Sequence, residues 1–290
     1  MRRACIDIGS NTTRLLIAEC VDGELEPVHQ AREFTYLGRD RLKDGAIPPS
    51  TLDQVVAVVA AQLEVARGLG CAEVRAVATA ALRRAANREQ LAAAVREACG
   101  LEVEVLTGEE EARLAFLGAA RSFRHMSDGE LGVVDVGGGS SELIVGRAPD
   151  RVRWLTSFPL GSSDLAHGYL HSDPPSPAEL AAARERIGAT IGRLDVPHPA
   201  EAAAVGGSAA SLARLAGRVL DRTAFARALS ELAAAPRREV AKRFGLDVER
   251  VRLLPAGLLI LEAVSELFQA PLVVADGGLR EGVLMEAAGA

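Results

Sequence analysis

Aromatic residues are scarce, only 3% of 290 residues: seven Phe, two Tyr and one Trp. With 49% of the chain apolar, its cores must be built mainly from Ala, Leu and Val. Lysine occurs twice, as Lys43 and Lys242, and arginine carries the rest of the cationic charge; this reads as coding bias, not function. The formal net charge is −6, so the whole-chain field does not attract polyanions. There is no basic stripe and no aromatic platform for a nucleic-acid strand, so nucleic acid is excluded as a partner. A phosphate held by this chain must be held locally, by arginines, backbone N–H groups or a metal.

Cysteine is also sparse. Cys5, Cys20, Cys71 and Cys99 contain no CxxC pair, so a zinc knuckle is not expected. Reduced, buried thiols in a cytoplasmic protein are the expectation. No apolar run reaches ~18 residues, which excludes a membrane span. The basic opening MRRACIDIGS is interrupted by Asp7, and no signal peptide is expected. The length suits one large domain or two ordinary ones.

What the chain does contain is a repeat. ACIDIGSNTTRLLIAE (4–19) aligns without a gap with GVVDVGGGSSELIVGR (132–147). Asp7 falls on Asp135, Gly9 on Gly137, Thr12 and Thr13 on Ser140 and Ser141, and Arg14 on Glu142. The copies lie nearly half a chain apart, which points to two similar domains. Each copy reads as strand, Gly/Ser/Thr turn, strand. Another strand-like run follows each, with hairpin turns expected at Asp22-Gly23 and Pro149-Asp150.

Helical and strand patterns then alternate. The first half reads β-β-β-α-β-α-β-α, with Asn87 as N-cap of a helix and Gln90 in the capping-box position. The second half echoes it with extra helices, among them one starting at Pro255 and a last one at 279–288. The boundary is placed in RHMSDGE (124–130), giving domains of 1–126 and 127–290. The fold class is α/β.

A Gly-rich turn between two strands gathers backbone N–H groups into one concavity and lets an anion approach closely. Gly137, Gly138 and Gly139 provide such a turn, and Ser140 and Ser141 add hydroxyls. No GK[ST] follows, so this is no Walker loop. Asp135 and Glu142 flank the turn. Carboxylates beside phosphate call for a cation between them, and hard oxygen ligands suit Mg2+. In the first copy Ser10, Asn11 and Thr12 occupy the turn and Arg14 replaces the glutamate. Arg14 either holds phosphate directly or is a solvated cation. Asp7 either repeats the Asp135 role or caps its turn. Gly206, Gly207 and Ser208 open a helix, where they either hold phosphate or allow close packing. Histidines 29, 125, 167, 171 and 198 lie in no motif.

These residues carry a pattern that resembles the Ppx/GppA family (exopolyphosphatase / guanosine pentaphosphate phosphatase). The matching segments are DIGSNTTRLLIAE, ATAALRRAAN (78–87), TGEEEARLAFLG (107–118), VVDVGGGSSEL, SFPLGSSDL, AVGGSAASL, LPAGLLIL and DGGLREGVL. They span nearly the whole chain and are specific as a set. The resemblance implies two RNase-H-like domains of the actin/Hsp70/sugar-kinase superfamily, closing over an interdomain cleft. It implies Mg2+-dependent hydrolysis of a terminal phosphoanhydride, on inorganic polyphosphate or on guanosine pentaphosphate. Glu111 matches the family's catalytic base, Arg83 its phosphate-binding arginine, and Asp135 and Glu142 its acidic residues. It further implies a short, two-domain type, suited to short polyphosphate, and homodimerisation. Glu109 and Glu110 are then first-turn residues, favoured by the helix dipole. The expected reaction is direct attack of a water on a phosphoryl group between the two Gly loops. The rivals are a guanosine pentaphosphate 5′-phosphatase, a small kinase or ATPase of the superfamily, and a non-catalytic phosphate or nucleotide sensor.

Overall fold

The computed structural model describes residues 1–21, 24–38, 44–123 and 129–288. The chain divides into two compact units. One comprises Met1–Gly118 with Leu279–Ala290, and the other Ala119–Gly278.

The first unit opens with β1 (Arg2–Ile8), β2 (Thr12–Val21) and β3 (Glu24–Phe34). Then come α1 (Pro49–Gly68), β4 (Glu73–Ala78), α2 (Ala80–Arg83), α3 (Arg88–Cys99), β5 (Val103–Val105) and α4 (Gly108–Ala120). The sheet order is β3-β2-β1-β4-β5, antiparallel through the first three strands and parallel beyond. β1 is buried on both faces, as central strands with a parallel neighbour are. Ala4, Ile6 and Ile8 meet Val55, Val59 and Leu63 of α1 and Leu91 and Val95 of α3. Cys5 on the opposite face joins Leu16, Leu114 and Leu117.

The second unit repeats this plan. It contains β6 (Leu131–Val136), β7 (Ser141–Arg147), β8 (Arg151–Phe158), α5 (Ser162–Tyr169), α6 (Pro177–Ile191) and β9 (Glu201–Val205). α7 (Gly206–Ala216), β10 (Val219–Leu220), α8 (Arg222–Ala234), α9 (Arg237–Phe244), α10 (Val248–Phe268) and β11 (Leu272–Val274) complete it. Its sheet runs β10-β11-β9-β6-β7-β8, so β8-β7-β6-β9-β11 matches β3-β2-β1-β4-β5 strand for strand. The core is dominated by Leu, Ala, Val and Ile, with Phe225 and Phe268 among its few rings. Among the described residues no helix is long and apolar enough to cross a membrane.

The last helix, α11 (Leu279–Ala288), belongs to the first unit. Leu279, Val283, Leu284 and Met285 pack with Cys5, Leu16 and Leu114. Gly282 permits this, because any Cβ there would overlap the backbone of Leu114. The sequence reading places 279–288 in the second domain, since helix periodicity identifies an element and not its partner. The expected boundary falls largely on residues 124–128, and the turn at 22–23 likewise lies outside the described residues. The Pro149-Asp150 hairpin is present, closed by Arg147 opposite Arg151.

Two local expectations need correction. Asn87 does precede α3, but its side chain does not cap it. Its amide instead accepts from the Ile47 N–H at 2.8 Å and donates to the Ile47 carbonyl at 3.0 Å, tying down a distant loop. α10 starts at Val248, seven residues before Pro255, which sits inside the helix. A proline is favoured at a helix start, but burial among core side chains keeps this helix going through it.

Candidate active site

The two repeat turns are built alike. Gly9 N–H donates to the Thr12 carbonyl at 3.0 Å, and Gly137 N–H to the Ser140 carbonyl at 3.0 Å. At either glycine a Cβ would crowd that same carbonyl, at 3.1 and 3.0 Å. This explains the glycine at the same place in both copies.

Each turn is then braced from outside. The carbonyls of Ser10 and Asn11 accept from the N–H groups of Gly38, Thr35 and Tyr36, at 2.7, 3.0 and 3.1 Å. In the second unit the carbonyl of Gly137 accepts from Ser162 N–H at 2.9 Å. That of Gly138 accepts from Ser163 and Asp164 at 2.9 and 3.1 Å. These donors form the first turn of α5, whose leading N–H groups lack partners within the helix. Gly161 is required for this seating, because a Cβ would overlap the Gly138 carbonyl. With carbonyls drawn outward, a turn is left to present N–H groups. Ser10, Asn11, Thr12 and Ser140 are all recessed, at 4–9% exposure.

Ser141 is different. It is fully buried, and its hydroxyl donates to the Leu160 carbonyl at 2.6 Å. It fastens the turn to the chain before α5 and does not face a ligand, contrary to its expected donor role. Ser208 is likewise buried, against Gly257 of α10, where an added Cβ would stand 2.5 Å from the Ser208 Oγ. The packing alternative weighed for 206–208 therefore describes Ser208. The same helix end holds something the sequence reading missed. Arg250 of α10 is buried with its guanidinium on Gly207, where a Cβ would lie 2.8 Å from Nη1. Arg250 stands between Glu249 and Arg252 in the sequence, so no local pattern singles it out.

The register places the acidic residues. Asp135 on β6 lies directly opposite Glu142 on β7, and Glu142 lies opposite Ser157 on β8. All three therefore share one face of the sheet. Ser157 donates to Glu142 Oε1 at 2.8 Å. The Asp135 carboxylate lies against the backbone of Gly206, whose φ of +83° and missing side chain make room for it. There it meets the N-terminal end of α7, where negative charge is stabilised. Two like charges directly opposite across a ladder are destabilising. A hard divalent cation, taking one or two carboxylates and keeping its waters, relieves that repulsion. The donor set of Asp135 and Glu142 thus fits Mg2+.

The equivalent pair in the first unit is Asp7 opposite Arg14. Burial pushes the Asp7 carboxyl above the ordinary carboxylate range, and the charges of Arg14 and then Arg280 oppose that shift. An acid beside an arginine balances charge in this hairpin, where its twin pairs two acids.

Glu111 and Arg83 come from different motifs and meet. Arg83, at the end of α2, donates from Nη1 to Glu111 Oε2 at 3.0 Å and to the Leu106 carbonyl at 2.7 Å. Glu111 is 6% exposed, in the first turn of α4. Its neighbours do other work. Glu110 accepts from Thr107 N–H at 2.7 Å and its hydroxyl at 2.9 Å, while Thr107 Oγ1 accepts from Glu110 N–H at 3.2 Å. That reciprocal pair is a capping box, and the Thr107 N–H holds the Glu110 carboxyl below its usual range. Arg113 pairs with Glu286 of α11.

The profile of the Ppx/GppA phosphatase family matches residues 16–289. The exopolyphosphatase 1 of Mycobacterium tuberculosis is 31% identical over 303 residues, spanning 98% of this chain and 88% of that protein. The guanosine-5′-triphosphate,3′-diphosphate pyrophosphatase of Vibrio vulnificus is 27% identical, over 98% of this chain and 58% of that protein. The crystal structure of the Aquifex aeolicus Ppx/GppA family member superposes with a TM-score of 0.84 at 32% identity, covering 99% of this chain and 97% of that one.

Proposed function

Because the chain belongs to the Ppx/GppA phosphatase family, we propose that it removes the terminal phosphate of inorganic polyphosphate, with Glu111 as the general base. The observation that carries this reading is the ion pair between buried Glu111 and part-exposed Arg83. A base must be fixed within reach of the water it deprotonates. Arg83 fixes this one through a guanidinium that is itself anchored on the Leu106 carbonyl. The guanidinium also brings positive charge beside the base, where it can meet phosphate oxygens.

Each unit has its own part. In the first, Arg14 and the turn of Ser10, Asn11 and Thr12 hold phosphate oxygens. In the second, the N–H groups of Gly138, Gly139 and Ser140 do so, with Arg250 behind the Gly206–Gly207 turn. Asp135 and Glu142 would hold Mg2+, which when bound neutralises charge on phosphate oxygens. Glu111 takes the proton of a water aligned with the scissile P–O bond, and the shortened chain leaves with the bridging oxygen. Donors pre-aimed at the equatorial oxygens favour the transition state without reorganising. No covalent intermediate is required.

The relatives named exopolyphosphatase support polyphosphate as the substrate. The test is phosphate release from a short polyphosphate and from guanosine pentaphosphate, with Mg2+, side by side. Release from polyphosphate that is abolished in Glu111→Gln supports the reading. Release from the nucleotide alone replaces the substrate. Undiminished release in the variant removes Glu111 as base.

A further inference from the structure

The loop between α5 and α6 closes over a cavity that lies wholly within the second unit. Its volume is about 160 Å3. The other walls come from Leu232 of α8, Arg237 of α9, and Val251, Arg252 and Pro255 of α10. Arg250, the preceding residue of α10, turns the other way and sets its guanidinium on Gly207. One helix thus serves the 206–207 turn on one side and this cavity on another.

Two guanidiniums reach the cavity with donors to spare. Arg237 gives its backbone N–H to Asp173 Oδ1 at 2.8 Å and holds its Nε 3.3 Å from Oδ2. Its two Nη groups make no hydrogen bond among the described residues. Arg252 is recessed, its side chain 26% exposed. Its ion-pair partner, Glu249, stands 3.7 Å from Nη1, beyond hydrogen-bond reach. A recessed guanidinium with no acceptor is an unmet demand, since buried polar groups are normally bonded.

The rest of the cavity is of two kinds. Leu170, Leu232, Val251 and Pro255 are buried and give it an apolar wall. The rim is held in place from below. The N–H groups of His171 and Ser172 both donate to Glu179 Oε1, at 2.8 and 2.9 Å. Asp173 is fixed on Arg237, so the acid on the wall is already matched by one of the two arginines. One positive charge is left over.

We propose that this cavity is a second ligand site, which takes a small organic monocarboxylate with a compact apolar body. A planar guanidinium fork matches a carboxylate with two parallel hydrogen bonds. A single surplus charge suits a monoanion better than a phosphate dianion. The apolar wall suits carbon, and small-molecule sites combine such walls with a few fixed polar groups. The size also fits, because an apolar cavity of about 150 Å3 accepts a benzene ring.

The test uses sodium benzoate as probe, with benzamide as its uncharged counterpart and orthophosphate as an anion without an apolar body. Binding to the full chain is followed by ligand-detected NMR titration, for the wild type, Arg252→Gln and Ser172→Trp. Ser172 is exposed on the rim, so the second variant blocks the mouth and leaves the core alone. Thermal melting confirms that both variants are folded. The expected result is a benzoate Kd of about 1 mM, raised about tenfold or more in Arg252→Gln and binding lost in Ser172→Trp. Saturating methylene-bridged triphosphate should not displace the benzoate. Benzamide or orthophosphate binding as well as benzoate, an unchanged Kd in Arg252→Gln, displacement by the triphosphate, or no saturable binding by the wild type overturns the proposal. No turnover is read, so the outcome stands apart from the function proposed above.

Discussion

One nitrogen, Arg83 Nη1, bonds both the Leu106 carbonyl and Glu111 Oε2, at 2.7 and 3.0 Å. A backbone atom just after β5 thus sets the position of a carboxylate on α4 through an arginine on α2. Glu111→Gln should keep the fold and lose about 100-fold or more in rate, within the span general bases supply. Arg83→Met should lose rate and also about 1–3 kcal/mol of stability, since it strands a buried carboxylate. Phosphate release and thermal melting of both variants separate the two effects. A Glu111→Gln variant of near-normal rate contradicts the assignment.

Asp135 and Glu142 should share a cation. Asp135→Asn and Glu142→Gln are each expected to raise the Mg2+ concentration for half-maximal rate by about tenfold, since each removes one hard anionic ligand. A magnesium titration of phosphate release reads this directly. A loss of rate at unaltered magnesium dependence would assign the pair a different task.

Glycine substitutions should sort by what a methyl group meets. Gly161→Ala drives a Cβ into the Gly138 carbonyl, and Gly282→Ala drives one into the Leu114 backbone. Each should cost about 1–3 kcal/mol, as overpacking does. Gly188→Ala, inside α6 with nothing within 4 Å, should stabilise by about 0.5–1 kcal/mol. Denaturant unfolding of the three variants checks the order. Gly161→Ala should also lose activity, because the strained atoms belong to the 137–140 turn.

Glu179 provides a pH signature away from the site. Its carboxylate accepts from the N–H groups of Ser176, His171 and Ser172, and from the Ser176 hydroxyl, at 2.8–2.9 Å. The Ser176 and His171 N–H bonds lead in lowering its pKa from 4.5 to about 2. A lowered acid pKa means stability that is complete above about 4.5 and fades as pH falls toward 2. Glu179→Gln should therefore melt lower than wild type at pH 7, with the gap closing on acidification. A gap independent of pH would show that the charge is not what matters.

Much of this was legible in the residues. The repeat of Asp7-x-Gly9 in Asp135-x-Gly137 announced two like units, and the matching sheets follow from it. The expected α/β fold of the actin-like type stands. What escaped were long-range relationships. Ser141 looks like a donor until Leu160 takes its hydroxyl, and Asn87 looks like a cap until Ile47 takes its amide. Arg250 lies outside every glycine-rich motif, and only the fold brings it to Gly207.

The return of α11 to the first unit has a consequence for how the chain comes into being. A ribosome delivers residues in order, and domains fold as they emerge. Here the first 118 residues emerge first but lack the helix that covers Cys5, Leu16 and Leu114. Residues 119–278 arrive as a complete set. The later-made unit is thus able to finish folding before the earlier-made one. Until residues 279–288 emerge, the apolar face awaiting α11 is a surface for chaperones to shield.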